Sequence, residues 1–210
     1  MAIIAITSIA TIILISLSAP LAYFLVFAKW RGKSFVEAFI SLPIALPPTV
    51  IGFYLLFIIG PKGHIGAIWE SIFGGSLLFT FTGIVIATVI YSLPFAIQPI
   101  KAAFEKMDVR LRESAYVLGL SPVATFFRVI IPNSVNGIAA GAILVFLHSM
   151  GAFGVILMVG GSVPSETRVA SIAIYEAVEA MDYSKAWMLS LAFLPISYFF
   201  LLLVNRLTRN

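Results

Sequence analysis

An all-α integral membrane protein, crossed by five helices with its N-terminus outside and its C-terminus in the cytoplasm, is the fold class this sequence predicts. Three observations carry that expectation. Of the 210 residues 61% are hydrophobic and 10% charged, with a mean hydropathy of +1.09, more apolar surface than a soluble domain of this size can hide from water. Five apolar stretches are candidates to cross a bilayer, for which about 20 residues suffice. The basic residues fall almost wholly on one side of those stretches, as cytoplasmic flanks do.

The first stretch, Met1–Ala28, carries no charge. It lacks the basic start and the short apolar core of a signal peptide. Further spans are expected from about Phe35 to Ile59, Leu77 to Ile97, Ile131 to Phe146 and Ala186 to Val204. Between the last two, Gly151–Gly161 is apolar but glycine-rich and too short to span. It reads either as a re-entrant turn or as the tail of the preceding helix, since irregular backbone at membrane depth needs protein or a water-filled cavity to satisfy it. Thr167–Tyr183 reads as a helix outside the membrane or at its surface, with acids at one end. Nothing resembles a linker, so residues 1–210 form one domain, and no regulatory domain is expected after Asn210.

The charges set the orientation. Lys29, Arg31 and Lys33 follow the first span; Lys101, Lys106, Arg110, Arg112 and Arg128 follow the third; Arg206 and Arg209 follow the last. Only Lys62, Arg168 and Lys185 lie opposite, beside Glu70, Glu166, Glu176, Glu179 and Asp182. The positive-inside rule places the larger group in the cytoplasm. The net charge of +4 then belongs to the membrane flanks and calls for no nucleic acid. With no cysteine in the chain, disulfides, thiol catalysis and zinc–thiolate sites are excluded.

One cytoplasmic segment is long and patterned, at about 98–131. Phe104, Met107, Leu111 and Leu118 recur at helical spacing while Lys101, Glu105, Asp108 and Arg112 take other faces, which predicts an amphipathic helix. Gly119 stands where a left-handed C-terminal cap is needed. Ser121 followed by Pro122 is an N-cap and first-turn pair opening a second short helix through Arg128. A helix–turn–helix held between two spans can transmit a push from a partner as a rigid lever.

The loop also resembles a known family. Glu113-Ser114-Ala115, three residues, Gly119, nine residues, then Val129-Ile130-Ile131-Pro132 is similar to the EAA loop of ABC importer permeases, with Ser114, Val129 and Ile131 as conservative departures. Leu42-Pro43-Ile44-Ala45-Leu46-Pro47-Pro48-Thr49-Val50-Ile51-Gly52-Phe53, Gly63-His64-Ile65-Gly66, Ser149-Met150-Gly151-Ala152-Phe153-Gly154 and Pro164-Ser165-Glu166-Thr167-Arg168 look like segments of molybdate permeases. Ala152 departs from the glutamate many relatives carry there. The resemblance implies a type I ABC importer permease fold and a homodimer in the cytoplasmic membrane of a prokaryote. It also implies two ATPase subunits, which hold the ATP and magnesium, and an extracytoplasmic protein that delivers molybdate or tungstate. Sulfate or thiosulfate is the nearest alternative cargo. In that family the loop docks on the ATPase, which here assigns docking to Glu113, Ala115, Gly119, Leu120, Ser121, Pro122 and Pro132.

Pathway candidates come from the residues. Pro43, Pro47 and Pro48 interrupt the backbone ladder of the second span, and with Ser41 and Thr49 beside them an irregular pore-lining segment is expected rather than a simple kink. Its counterpart across a dimer axis is expected at Val145–Gly154, where small residues permit close approach. His148 is an ionisable group in a membrane segment, a functional hypothesis by default, expected near the outer end of its span. Ser149, Thr49 and Ser92 can donate to an oxyanion, although such hydroxyls more often bond their own helix. Gly32-Lys33-Ser34 resembles the end of a phosphate-binding loop, but the glycine required five residues earlier is Phe27. The chain is therefore expected to hold no nucleotide, cofactor or metal. An intramembrane hydrolase would need a nucleophile with its base at depth, and an ion-coupled carrier usually shows intramembrane acids and inverted repeats; neither pattern is present, and a passive channel is the remaining alternative.

Overall fold

The computed structural model describes residues 2–163 and 167–209; Pro164, Ser165 and Glu166 of the motif above lie outside the described residues. Every regular element among the described residues is helical. Helix α1 (Ala2–Phe27) is followed by α2 (Lys33–Ala45), α3 (Pro48–Ile59), α4 (His64–Phe73) and α5 (Phe81–Lys106). Next come α6 (Val109–Val117), α7 (Pro122–Thr125), a π-helical turn at Phe126–Ile130 and α8 (Ile131–Asn133). The chain closes with α9 (Val135–Gly151), α10 (Gly154–Gly160), α11 (Ala170–Glu179) and α12 (Tyr183–Arg209). Helices α1, α5 and α12 are long and apolar enough to cross a bilayer alone, and two bent pairs bring the candidate spans to five.

The second expected span is one of those pairs, not a continuous rod: α2 and α3 meet at 112°. The prolines explain the break. Leu46 precedes a proline, which drives it out of the helical region to φ −87°, ψ 143°, and Pro48 then starts α3 at its first turn, where a missing N–H costs nothing. Each half is only about 20 Å long at 1.5 Å per residue. The other bent pair, Pro122–Asn133 with Val135–Gly151, turns by 75° at Ser134, so the fourth span begins at Val135 rather than Ile131. The glycine-rich segment after it is not a tail of α9. Ala152 breaks the helix in extended backbone, and α10 starts afresh with Val155, Ile156 and Val159 buried. The helix α4 has no counterpart in the sequence reading.

The centre of the bundle is α5, packed on α1, α9, α2 and α10. Phe104 and Ile100 join Ala22 of α1 and Ile130 at one end; Leu14, Ala96 and Val145 meet in the middle; Ile84 joins Leu55, Val155 and Val159 at the other. Helix α9 comes close because it presents glycine: a Cβ on Gly141 would lie 3.2 Å from the Ala96 carbonyl. At the first end Lys101 of α5 pairs with Glu37 of α2 at 2.8 Å. Helix α12 packs chiefly on α9 and α11 and leaves Trp187, Met188, Leu191, Leu194, Tyr198 and Phe199 exposed. In water so large an apolar face would be an aggregation site; in lipid it costs nothing.

The expected surface helix over 167–183 is α11, and it ends in a tight cap. The Met181 N–H bonds the Val178 carbonyl at 3.0 Å and the Asp182 N–H bonds Ala177 at 2.8 Å, a Schellman pair that puts Met181 at φ 56°. Asp182 then accepts from Lys185 N–H at 3.1 Å and opens α12. A methionine in the left-handed region costs about 1–2 kcal/mol, and this one is 77% exposed, so its packing offsets little. Met181→Gly is therefore expected to raise the thermal stability of the purified chain by about 0.5–1 kcal/mol, after allowing for the entropy glycine adds to the unfolded state. A lower melting temperature would contradict the strain assigned to this turn.

Candidate functional site

Two features carry the predicted residues: the loop over 107–132 and a cleft near the elbow between α2 and α3. The loop is not the single helix expected from Lys101 to Leu118. Helix α5 stops at Lys106, and Asp108 caps a new helix by accepting from Arg110 N–H at 2.9 Å. Gly119 follows α6 at φ 81°. Its N–H bonds the Tyr116 carbonyl at 3.0 Å and the Leu120 N–H bonds the Ala115 carbonyl at 3.0 Å, the two bonds of a Schellman motif. Ser121 then accepts from Ala124 N–H at 3.2 Å, with Pro122 at the first position of α7. Four of the predicted residues, Ala115, Gly119, Ser121 and Pro122, thus build one reversed turn. Glu113 is exposed on α6, Leu120 is half-buried, and Pro132 sits in α8 beyond the π-turn.

Contacts with the spans were not foreseen from spacing. The Arg112 guanidinium lies 4.4 Å from the centre of the Phe27 ring, Tyr116 Oη is 3.5 Å from Tyr23 Oη, and the Tyr23 ring meets Phe126 edge-on at 5.3 Å. Phe27 in turn stacks on Phe104 at 6.4 Å. The loop is therefore fastened to α1 and α5 by an aromatic cluster. Its tip points the other way. Val117 is 87% and Leu118 78% exposed, so Leu118 is not part of a buried apolar face as its spacing suggested. The tip thus presents bare apolar side chains on the loop's outer surface.

The cleft, of about 640 Å³, is lined by Pro48, Thr49, Tyr91, Phe95, His148, Gly154 and neighbouring apolar residues. The His148 ring stacks on Phe95 at 3.8 Å and lies 4.7 Å from Tyr91, and its Nε2 is buried without a hydrogen-bond partner. As the sequence suggested, His148 stands in the last turn of its helix and is half-buried, with the aromatic neighbours against its ring. Pro48, Thr49 and His148 are thus brought together. Other candidates are not. Ser92 and Ser149 face each other at 3.4 Å between α5 and α9, and Ser41 accepts from Gln98 Nε2 at 3.2 Å. Pro43 lies within α2 and Pro47 at the elbow, outside the cleft lining. Of the small residues over 145–154, Gly151 is exposed with open space beside it, whereas Gly154 packs inside this chain: a Cβ there would sit 3.2 Å from Pro48 Cβ. The same closeness recurs at Gly52, whose Cβ would lie 2.9 Å from Met158 Cβ. Ala152 is buried and its carbonyl accepts from Ser171 Oγ at 2.8 Å, so a glutamate there would have to enter a closed interface.

On the opposite face Glu176 pairs with Arg168 and accepts from Ser162 Oγ. No group of three or more metal-ligating side chains occurs among the described residues.

Comparison with known proteins places this geometry. The chain is 44% identical over 85% of its length to the molybdenum transport system permease protein ModB of Azotobacter vinelandii, covering 79% of that protein. It is 34% identical over 75% of its length to ModB of Escherichia coli K12, covering 69% of it. A probable sulfate transport system permease protein, cysT of Chlorella vulgaris, is 35% identical over 84% of the chain and 66% of that protein. In fold it matches a crystallised bacterial alginate ABC transporter in complex with an alginate-bound periplasmic protein, with a TM-score of 0.76 over 99% of this chain and 76% of that one, at 17% identity. Residues 11–210 match the family described as binding-protein-dependent transport system inner membrane component. With its elbowed spans, its capped loop and these relatives, the chain belongs to that family, the permeases of ABC importers.

Proposed function

We propose that this chain is the permease subunit of an ABC importer for molybdate, with tungstate as an equivalent cargo. It works as a homodimer with two ATPase subunits, which bind ATP and magnesium, and with an extracytoplasmic binding protein. The membrane is the cytoplasmic membrane of a prokaryote, and the loop face, with its ten basic residues, is the cytoplasmic one. The observation that carries the reading is the 44% identity to a molybdenum permease across 85% of the chain. The fastened loop and the cleft support it.

In this reading Glu113, the exposed Val117 and Leu118, and the turn at Gly119–Pro122 dock on the ATPase. Nucleotide binding draws the two docked loops together, and each loop carries its own α1 and α5 with it. The spans then re-pack as rigid bodies about the cleft, the usual form of alternating access. At the cleft Thr49 and His148 offer hydrogen-bond donors to a tetrahedral oxyanion. The chain catalyses no reaction itself; hydrolysis belongs to the partner.

Sulfate is the second reading, favoured by the 35% identity to cysT of Chlorella vulgaris. ModB of Escherichia coli is no more similar, at 34%, so the preference rests on the Azotobacter relative. The test is ATPase stimulation in reconstituted complex: binding protein loaded with molybdate or tungstate is expected to stimulate, and stimulation by the sulfate-loaded protein alone would overturn the cargo. Gly119→Pro is expected to abolish uptake, because proline cannot adopt φ 81° or donate the N–H that bonds Tyr116, while delivery of substrate by the binding protein persists; normal uptake would refute the coupling role. Arg112→Leu removes the cation over Phe27, worth about 1 kcal/mol, and is expected to lower uptake per ATP hydrolysed while the ATPase still co-purifies. An unchanged uptake-to-hydrolysis ratio would show that the fastening carries no force.

A further inference from the structure

At the end of the bundle that carries the loop, a second cavity of about 380 Å³ lies between the end of α5, the start of α9 and the last turn of α12. It borders the loop through Met107 but contains none of the residues assigned to docking or to the cleft. Its wall includes Lys106, Ser134, Asn136, Gly137, Leu207 and Thr208.

Ser134 is 2% exposed, and its hydroxyl has no hydrogen-bond partner. A buried polar group left so is costly unless a ligand or water pairs with it. The neighbouring backbone makes the same demand. Helix α9 runs for 17 residues and no side chain caps its start. Its hydrogen-bond ladder opens with Ile138 N–H on the Ser134 carbonyl at 3.0 Å, so the amides of Val135, Asn136 and Gly137 precede it and carry the positive end of the helix dipole. Gly137 brings this helix start close against α5, since a Cβ there would lie 2.3 Å from Ala103 Cβ. Lys106 contributes an ammonium from the last turn of α5, and Asn136 a side-chain amide. Among the described residues no carboxylate lines the cavity.

These groups are donors and positive charge, converging without an opposing acid. Lys106 also suits the negative end of α5, but that leaves the hydroxyl and the amides unexplained. We propose that the cavity binds a tetrahedral phosphate-type anion, held by Lys106, Ser134, Asn136 and the N-terminal amides of α9. Helix-start amides with a lysine and a hydroxyl are the ordinary chemistry of such a site. The anion has two sources, the headgroup of an acidic phospholipid or a free oxyanion. A headgroup suits the setting, because the cavity wall includes the last turn of α12, a helix long and apolar enough to cross a bilayer. The inference does not rest on the cargo assigned above.

The test uses the full chain, delipidated in detergent, with binding read by native mass spectrometry and by thermal shift. Phosphatidylglycerol, phosphatidylcholine and inorganic phosphate are the separate probes. Phosphatidylglycerol, phosphate or both are expected to bind and stabilise the wild type above phosphatidylcholine; the lipid alone identifies a headgroup site, and phosphate identifies one open to free anions. The variant Ser134→Ala with Lys106→Gln is expected to weaken that binding about tenfold, the worth of one or two charge-assisted hydrogen bonds. Lys29→Gln, which removes an equal charge elsewhere on the same face, is expected to leave it intact. Should the double variant fold poorly, Lys106→Gln alone alters only an exposed side chain and must still weaken binding severalfold. Failure of both anionic probes to bind, unchanged binding in Lys106→Gln, or an equal loss in Lys29→Gln would overturn the proposal.

Discussion

Arg112 over the ring of Phe27, with Tyr116 against Tyr23 and Phe126 beside it, joins the loop to the first span. The remainder of the molecule depends on that joint. A helix–turn–helix tethered only by its chain ends would absorb a push in its own hinges. Fastened through side chains to α1, and through Phe27 and Phe104 to α5, it has little freedom left to absorb it. The cap geometry adds to this stiffness: the bonds across Gly119 and the Ser121 cap satisfy amides and carbonyls that would otherwise loosen both helix ends. A cation on an aromatic face suits a bilayer edge, where it keeps its attraction without the full cost of burying a charge.

The span region answers a different constraint. Hydrocarbon offers no partner for a free N–H or carbonyl, yet the chain breaks its helices at Leu46–Pro47 and again at Ala152–Phe153. Both breaks are tolerable because each is covered. Gly154 sits on Pro48 and Thr49, Gly52 admits Met158, and Ser171 bonds the Ala152 carbonyl. The cleft lies where these two irregular segments meet. Irregular backbone, small residues and a partnerless imidazole thus share one place, while regular helices surround it.

Much of this was legible in the sequence. Hydropathy and the sided basic residues found the spans, and Gly119, Ser121 and Pro122 announced a turn whose torsions and caps the structure displays. Periodicity misled in two places. Leu111 and Leu118 fall on the apolar repeat begun by Phe104 and Met107, but Asp108 starts a new helix and rotates that register, leaving both leucines exposed. The apolar run over 35–59 reads as one span because hydropathy ignores direction; only the prolines hint at an elbow, and they cannot give its 112°. The Arg112–Phe27 and His148–Phe95 contacts join residues 85 and 53 positions apart in the chain, and no local pattern reports such pairs.

The central claim is that the loop and its own α1 move as one body when the partner ATPase binds nucleotide. Spin labels at Leu118 and Lys29 in the assembled transporter, read by pulsed dipolar spectroscopy with and without ATP, measure that directly. The account predicts an unchanged distance between Leu118 and Lys29 of one subunit, together with a shortened distance between the two Leu118 labels of the assembly. A Leu118–Lys29 distance that shifts on nucleotide binding while the spans stay put would mean that the loop flexes on its joint, and would contradict the account.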